Sequence, residues 1–331
     1  MKRWKTRPSY ASYVFILGFV LFGLAAYADK PVAGEYPKEF RVGYQKSSTL
    51  LLLKTRGVLE KRLGPLGIEV KWSEFTFGPP MLEALNAGSI DYATTGETPP
   101  VFAQAARNAQ LVYAGQEPSS PHSEALLVPA NSAIHSLAEL KGKKVAVAKG
   151  ANAHYLLISA LVNVGLSLKD IQPVYLQPAD AYAAFERGAV DAWAIWDFYR
   201  AAAETRLNAR LLADATGLAD NFENYTSRRE FAGQYPKLLA IVLDEIAQTE
   251  AWVAANPEQA AAVVAPQLGL EPAIVALAIK RRHYGAGPVT PEFLDSQQKI
   301  ADTLYSIGLI PQKIHVREAV LPPPLAQAIG Y

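Results

Sequence analysis

Five short segments join an apolar, β-branched run to a helical pattern, and each collects polar or small residues at the junction. They are Gln45-Lys46-Ser47-Ser48, Phe77-Gly78-Pro79-Pro80, Thr94-Thr95-Gly96-Glu97-Thr98-Pro99-Pro100, Lys149-Gly150-Ala151-Asn152-Ala153-His154 and Ile195-Trp196-Asp197. A helix start leaves backbone N–H groups unpaired and carries the positive end of the helix dipole, so such a turn attracts an anion. Ser48, Thr98 and Asn152 can cap those helices or offer their side chains, and Pro80 and Pro100 suit a first helical turn. A hydrogen bond to a charged group contributes about 1.5–3 kcal/mol, and a helix terminus adds about 0.3–1 kcal/mol. Four or five such contacts, set against the cost of ordering, reach the roughly −8 kcal/mol of micromolar binding. The chemistry on offer is therefore capture of a small oxyanion such as sulfonate, sulfate, nitrate or phosphate.

Each turn also has a structural reading. Thr95-Gly96 and Gly78-Pro79 fit simple turns, and Lys46 and Lys149 fit solvated charges at strand ends. Trp193 alternates with small and apolar neighbours and suits the core, whereas Trp196, beside Asp197 at the end of the run, suits the wall of a cleft. Glu97 and Asp197 would repel an anion unless they cap helices, pair with lysines or meet an amine on a zwitterionic ligand. His154 falls on the first helical positions, where the dipole favours neutral imidazole, and no second histidine near it completes a metal site. Arg228 and Arg229, in "NYTSRREF", can reach a cleft or form a solvated pair. Catalysis has little support: GxSxG, HExxH, GxxxxGK[ST] and a GxGxxG after a strand are all absent. Ser48, His154 and Asp197 could only be picked as a triad after the fact. A non-enzymatic protein without a cofactor is expected.

The elements that must hold these turns occur twice. "RVGYQKSSTLL" from Arg41 and "KVAVAKGANAH" from Lys144 both read as strand, turn and helix start, with Lys46 and Lys149 in matching places. "LNAGSIDYA" from Leu85 and "FERGAVDAW" from Phe185 both read as a helix end, a Gly suited to the C′ position, and a strand. Val42 precedes Leu85 by 43 residues and Val145 precedes Phe185 by 40, so whole units recur. Two similar α/β lobes with parallel strands follow, and ligands in such sheets bind beyond the carboxyl ends of the strands. From Pro236 onward the pattern is helical: Leu238–Ala255, Pro257–Leu268, Glu271–Arg281 and Pro291–Ser306, several opening with Pro. A tail without strands is expected to pack back on the first lobe, so that the chain crosses between lobes twice and forms a hinge. The expected divisions are a signal peptide at 1–28, the first part of lobe I at 29–120, lobe II at 121–226 and a helical return to lobe I at 227–331.

Of the 331 residues, 50% are hydrophobic and 19% charged, ordinary for a globular chain of about two domains. Lys2, Arg3, Lys5 and Arg7 precede an apolar run from Tyr13 to Tyr27 that ends in Ala26-Tyr27-Ala28. That is the order of a cleavable secretory signal, and the run is shorter than the roughly 20 residues that span a bilayer. Residues 1–28 hold those four basic residues and no acidic ones, so their removal turns the formal charge of +1 into −3. Such a balance does not favour nucleic acid. Cysteine is absent, which excludes disulfides, thiolate metal sites and a lipid-modified N-terminal cysteine. An exported chain of this kind belongs in a bacterial periplasm.

The turns and their flanks resemble the periplasmic aliphatic-sulfonate-binding proteins of ABC importers, within the wider sulfonate, taurine, nitrate and thiamine-precursor binding family. The words are "RVGYQK" (41–46), "FGPPMLEALNAGSIDYATTGETPPVFAQAA" (77–106), "EP" (117–118), "LAELKGKKVAVAKGANAH" (137–154) and "VDAWAIWDFY" (190–199), and the likeness runs from about residue 39 to 325. The resemblance implies the two-lobed type II periplasmic-binding fold, with the ligand in a cleft between lobes. It places a sulfonate head between the turns of Gln45 and Lys46, Gly78 and Pro79, Thr95, Gly96 and Glu97, and Asn152, Ala153 and His154. Trp196 and Asp197 line the same cleft, and Glu117 and Arg228 complete the expected ligand set. The family often has a serine-rich turn after Lys-Gly. Here Ala151, Asn152 and Ala153 take its place, so two hydroxyl donors are lost. The implied function is capture of an alkanesulfonate as a sulfur source, by a monomer that hands it to an ABC permease and its ATPase. Taurine, nitrate or another small anion is the alternative ligand. An enzyme of the pyrimidine-synthase branch or a periplasmic hydrolase is the alternative class, against which the export signal, the absent cysteine and the absent motifs weigh.

Overall fold

The computed structural model describes Met1 and residues 36–321, so the expected signal segment beyond Met1 lies outside the described residues. From Glu39 strands and helices alternate: β1 (Glu39–Tyr44), α1 (Thr49–Arg56), α2 (Val58–Leu63), β2 (Glu69–Glu74), α3 (Gly78–Asn86), β3 (Tyr92–Gly96), α4 (Thr98–Ala105) and β4 (Leu111–Gln116). A second series follows: β5 (Glu124–Val128), β6 (Lys144–Val147), α5 (Asn152–Asn163), β7 (Gln172–Tyr175), α6 (Pro178–Glu186), β8 (Ala192–Trp196), α7 (Tyr199–Arg206) and β9 (Arg210–Asp214). The chain then enters β10 (Glu223–Arg228) and a helical stretch of α8 (Arg229–Gln234), α9 (Pro236–Ala255), α10 (Pro257–Leu268), α11 (Pro272–Arg281) and α12 (Pro291–Ser306).

Two five-stranded sheets result, ordered β2-β1-β3-β10-β4 and β7-β6-β8-β5-β9. In each, three parallel strands are followed by an antiparallel one, β10 against β3 and β5 against β8. The chain therefore passes from the first sheet to the second between β4 and β5 and returns between β9 and β10. The expected division at 226 falls inside β10, whose pairing is with the first sheet.

The sequence repeat is reproduced bond for bond. Gly88 and Gly188 leave α3 and α6 with φ of 75° and 68°, a left-handed conformation that costs glycine little. Ser89 and Ala189 then donate N–H to the carbonyls of Ala84 and Ala184, at 2.9 Å each. Three residues past each glycine an aspartate accepts from the first strand of its repeat: Asp91 from Arg41 N–H of β1 at 3.0 Å, Asp191 from Lys144 N–H of β6 at 2.7 Å. The Gly-x-x-Asp words thus end a helix and lock the next strand beside the first.

The four tail helices expected from the Pro-led pattern are present, although α9 starts two residues earlier, at Pro236, and α11 one residue later, at Pro272. Their apolar faces join the first-lobe core: Leu239, Val242 and Ile246 of α9 and Ala261 and Val264 of α10 pack with Leu50, Leu53 and Leu59. Helix α11 differs, since Ile274 and Ala278 pack against Ala201 and Ala202 of α7, on the second lobe. The tail therefore touches both lobes.

Candidate functional site

The carboxyl ends of the parallel strands of both sheets converge on one cavity of about 60 Å³. A cavity of about 10–15 Å³ already holds one water, so this one suits a compact polar group of a few atoms. From the first lobe Gln45 and Ser47 after β1, Gly78 at the start of α3 and Gly96 at the end of β3 reach it. From the second come Ala151 and Asn152 at the start of α5, with Trp196 and Asp197 at the end of β8. Glu117, Ser120, Ser123 and Glu124 enter from the first crossover, Asn221 and Glu223 from the second, and Arg282 from the end of α11.

Asn152 connects the lobes. Its Oδ1 accepts from Thr98 N–H at 3.0 Å, so the first turn of α4 is capped from the opposite lobe and not by its own threonine. Its Nδ2 donates to Asn221 Oδ1 at 2.8 Å, and Asn221 in turn donates to Ser120 O and Ser123 Oγ. The approach is close enough that a Cβ on Gly96 would stand 2.0 Å from Asn152 Nδ2. With Oδ1 committed and one amide N–H given to Asn221, the turn presents to the cavity the second Asn152 amide N–H together with the first-turn N–H groups of α5.

The charged groups are mostly carboxyls, and burial changes their character. Arg282 donates to Ser47 O at 2.7 Å and to Glu117 Oε2 at 2.5 Å, and neighbouring carboxylates hold it firmly protonated although burial opposes this. Glu117 Oε1 accepts from Tyr225 at 2.6 Å; behind it burial drives Glu250 well above the usual carboxyl range. Burial also pushes Glu223 up to about 7 and Asp197 up to about 6, the latter opposed by Arg281 at 3.3 Å. Glu124 is fully buried, neither carboxyl oxygen has a partner among the described residues, and burial raises it well above its ordinary value. A neutral Glu124 carboxyl is a hydrogen-bond donor at the cavity wall, which an anion can accept.

Of the expected ligand set, Gln45, Gly78, Gly96, Glu117, Asn152, Trp196 and Asp197 line the cavity, and the other seven stand elsewhere. Lys46 pairs with Glu74 at 3.7 Å, both about half exposed, and Lys149 lies over the Tyr175 ring, so the matching lysines are strand-end charges. Pro79 faces Gly150 across the lobes, and Thr95 is buried behind the wall. Glu97 accepts from Phe222 N–H at 3.1 Å, and burial pushes it up to about 8. Ala153 belongs to the second-lobe core. His154 is fully buried, its Nδ1 accepts from Gly150 N–H at 3.2 Å, and burial lowers it to about 4. The expected neutral imidazole is thus present, held by burial, and its ring does not face the cavity. Arg228 lies away from the cavity, contrary to the expectation. Because β10 runs antiparallel with Glu223 against Gly96, Arg228 falls at the far end, roughly 16 Å along the strand. There it pairs with Asp91 at 3.2 Å and with Glu230.

The chain matches the family model described as NMT1/THI5 like over residues 66–260, more than half its length. The Escherichia coli (strain K12) protein named for binding aliphatic sulfonates is 42% identical over 311 residues, covering 93% of this chain and 97% of that relative. The chain belongs to the aliphatic sulfonate-binding protein family. Among solved members of the sulfonate-binding family, the alkanesulfonate-binding protein SsuA of Xanthomonas axonopodis pv. citri bound to MOPS is 39% identical with a TM-score of 0.81. It covers 86% of this chain and 98% of that one. The Escherichia coli periplasmic aliphatic sulphonate binding protein SsuA is 43% identical with a TM-score of 0.80, covering 87% and 93%. The type II periplasmic-binding fold of the sulfonate-binding family, two lobes with the cavity between them, is the fold of this chain.

In this member of the sulfonate-binding family, Ser47, Ser120, Ser123, Glu124, Ala151, Asn221, Glu223 and Arg282 also line the cavity. Ser47 and Ala151 sit inside turns already singled out. The others come from the two crossovers and from the tail, where no strand-to-helix turn marks them.

Proposed function

We propose that this chain is the periplasmic capture protein of an ABC importer and that it binds aliphatic sulfonates for use as a sulfur source. What supports the reading most is the polar cavity where the starts of α3 and α5, from opposite lobes, meet beside Arg282 and Glu124. The sulfonate oxygens accept from the first-turn N–H groups of α5 and from the Glu124 hydroxyl, and Arg282 offsets the charge of Glu117. A neutral Glu124 resolves the difficulty of a carboxyl beside an anion, since it donates where a carboxylate would repel. Family membership supports the ligand class, the ABC partners and the periplasmic location, and the basic-then-apolar N-terminus supports export by a cleavable signal. The closed protein, as a monomer, is what the permease and its ATPase receive. Closure on ligand requires that the closed form bind more tightly than the open one, and the Asn152 bridge forms only when the lobes meet.

A thermal-shift panel with ethanesulfonate, longer alkanesulfonates, MOPS, taurine, sulfate and nitrate tests this. A rise in melting temperature with the sulfonates above that with sulfate or nitrate is expected. A rise with nitrate or sulfate alone would overturn the sulfonate assignment.

A further inference from the structure

The polar cavity is too small for more than a head group, so the rest of a sulfonate must leave through its wall. A second cavity of about 380 Å³ adjoins it, and Ser47 and Trp196 line both. That volume falls within the roughly 300–1,000 Å³ of small-molecule pockets. Its walls are of a different kind. Phe75 comes from the loop after β2, Tyr182 from α6, Phe198 and Tyr199 from the β8–α7 junction, and Leu268 and Leu270 from the α10–α11 turn. Tyr182 and Tyr199 both pack edge-on against fully buried Trp193, with ring centroids 6.0 and 6.2 Å apart, so the aromatic wall is fixed by the second-lobe core. The charges at its rim are already matched: Lys46 with Glu74 at 3.7 Å, and Arg206 with Glu271 at 2.7 Å.

Resting on the sulfonate reading above, we propose that this second cavity receives the organic substituent of the ligand and that it selects sulfonates bearing an uncharged ring over the smallest alkanesulfonates. An aromatic ring offers faces and edges to Phe75, Tyr182 and Trp196, and it removes apolar surface from water on both sides. A second ionic group would have to break one of the rim pairs. The preferred class is therefore arylsulfonates and cycloalkylsulfonates with no further charge.

The test is calorimetric titration of the purified protein with methanesulfonate, benzenesulfonate and 2-naphthalenesulfonate, repeated with the variant Ala179→Trp. Ala179 lines the second cavity from an exposed position in the first turn of α6, so a tryptophan there fills the space without entering the core. The expected result is at least about tenfold tighter binding of the aryl compounds than of methanesulfonate, with the ratio collapsing toward one in the variant. Phe75→Ala, which removes one wall, is expected to shrink the same ratio and serves if Ala179→Trp does not fold. A ratio near one in the unaltered protein, or a ratio that neither variant changes, would overturn the inference while leaving the sulfonate reading intact. No binding of any of the three would overturn the sulfonate reading itself and the inference with it.

Discussion

Asn152 Oδ1 and the N–H of Thr98 lie 3.0 Å apart although they belong to opposite lobes. The amide thereby bolts the lobes together, and the backbone N–H groups of α5, with the second amide N–H of Asn152, offer the anion its seat. Asn152→Asp retains the acceptor for Thr98 but loses the donor to Asn221 and places a carboxylate next to the seat. Affinity for an alkanesulfonate is expected to fall at least about tenfold, read by titration calorimetry. Unchanged affinity would remove this turn from the ligand's surroundings.

Gly96 tests closure separately from contact. A methyl group there meets Asn152 Nδ2 at 2.0 Å only when the lobes are together. Gly96→Ala is therefore expected to fold, to bind sulfonate at least about tenfold more weakly, and to keep the larger radius of an open form in small-angle scattering with ligand. Tight binding with a normal decrease in radius would show that the closed arrangement tolerates the methyl.

Arg282 and Glu117 form a buried pair at the cavity. Arg282→Met leaves Glu117 without its counter-charge and is expected to cost about 3–5 kcal/mol in denaturant unfolding. Combining it with Glu117→Gln should restore more than half of that, a coupling the double-mutant cycle measures. Additive losses would mean that the two groups act independently.

The buried carboxyls set the pH dependence of stability. Folded Glu97 keeps its proton up to about 8 and Glu223 up to about 7, from ordinary values of 4.5, and Asp197 up to about 6 from 3.8. Over that window the folded state binds more protons than the unfolded one, so stability falls as pH rises. The contribution is complete below the ordinary values and gone above about pH 8. His154, lowered from 6.5 to about 4, acts in the opposite sense: its contribution is present above 6.5 and lost as pH falls through 4. The melting temperature should be highest near about pH 4.5, where two or more carboxyls begin to outweigh His154, fall by roughly several degrees by about pH 8.5, and fall less between about pH 6 and 8 in Glu97→Gln. A melting temperature that climbs steadily to pH 8.5 would contradict this.

What could be read from the chain was local. The Gly-x-x-Asp words, the Pro-led helices and the small-residue turn at Asn152 each carry their signal within about ten residues, and the structure places them on the two lobes in matching roles. Arg282, Glu124 and Asn221 carry no such signal, because they reach the cavity through crossovers and a tail helix far along the chain from the turns they join. The arginines show this most clearly. Arg228-Arg229 and Arg281-Arg282 are equivalent pairs in the sequence, each beside a helix end. Only the antiparallel register of β10 sends the first away from the cleft, and only the packing of α11 against α7 brings Arg282 into it. Asn152 was legible as a polar group at a helix start, but its true partner, Thr98, depends on two lobes meeting.

A sulfonate head group between the lobes at the start of α5 would be seen at once in a crystal structure of the protein grown with an alkanesulfonate. The sulfonate oxygens are expected within hydrogen-bond distance of the first-turn N–H groups of α5 and of the Glu124 carboxyl, with Asn152 still bound to Thr98. A sulfonate found outside this cavity, or a closed protein with the cavity empty at saturating ligand, would contradict that placement.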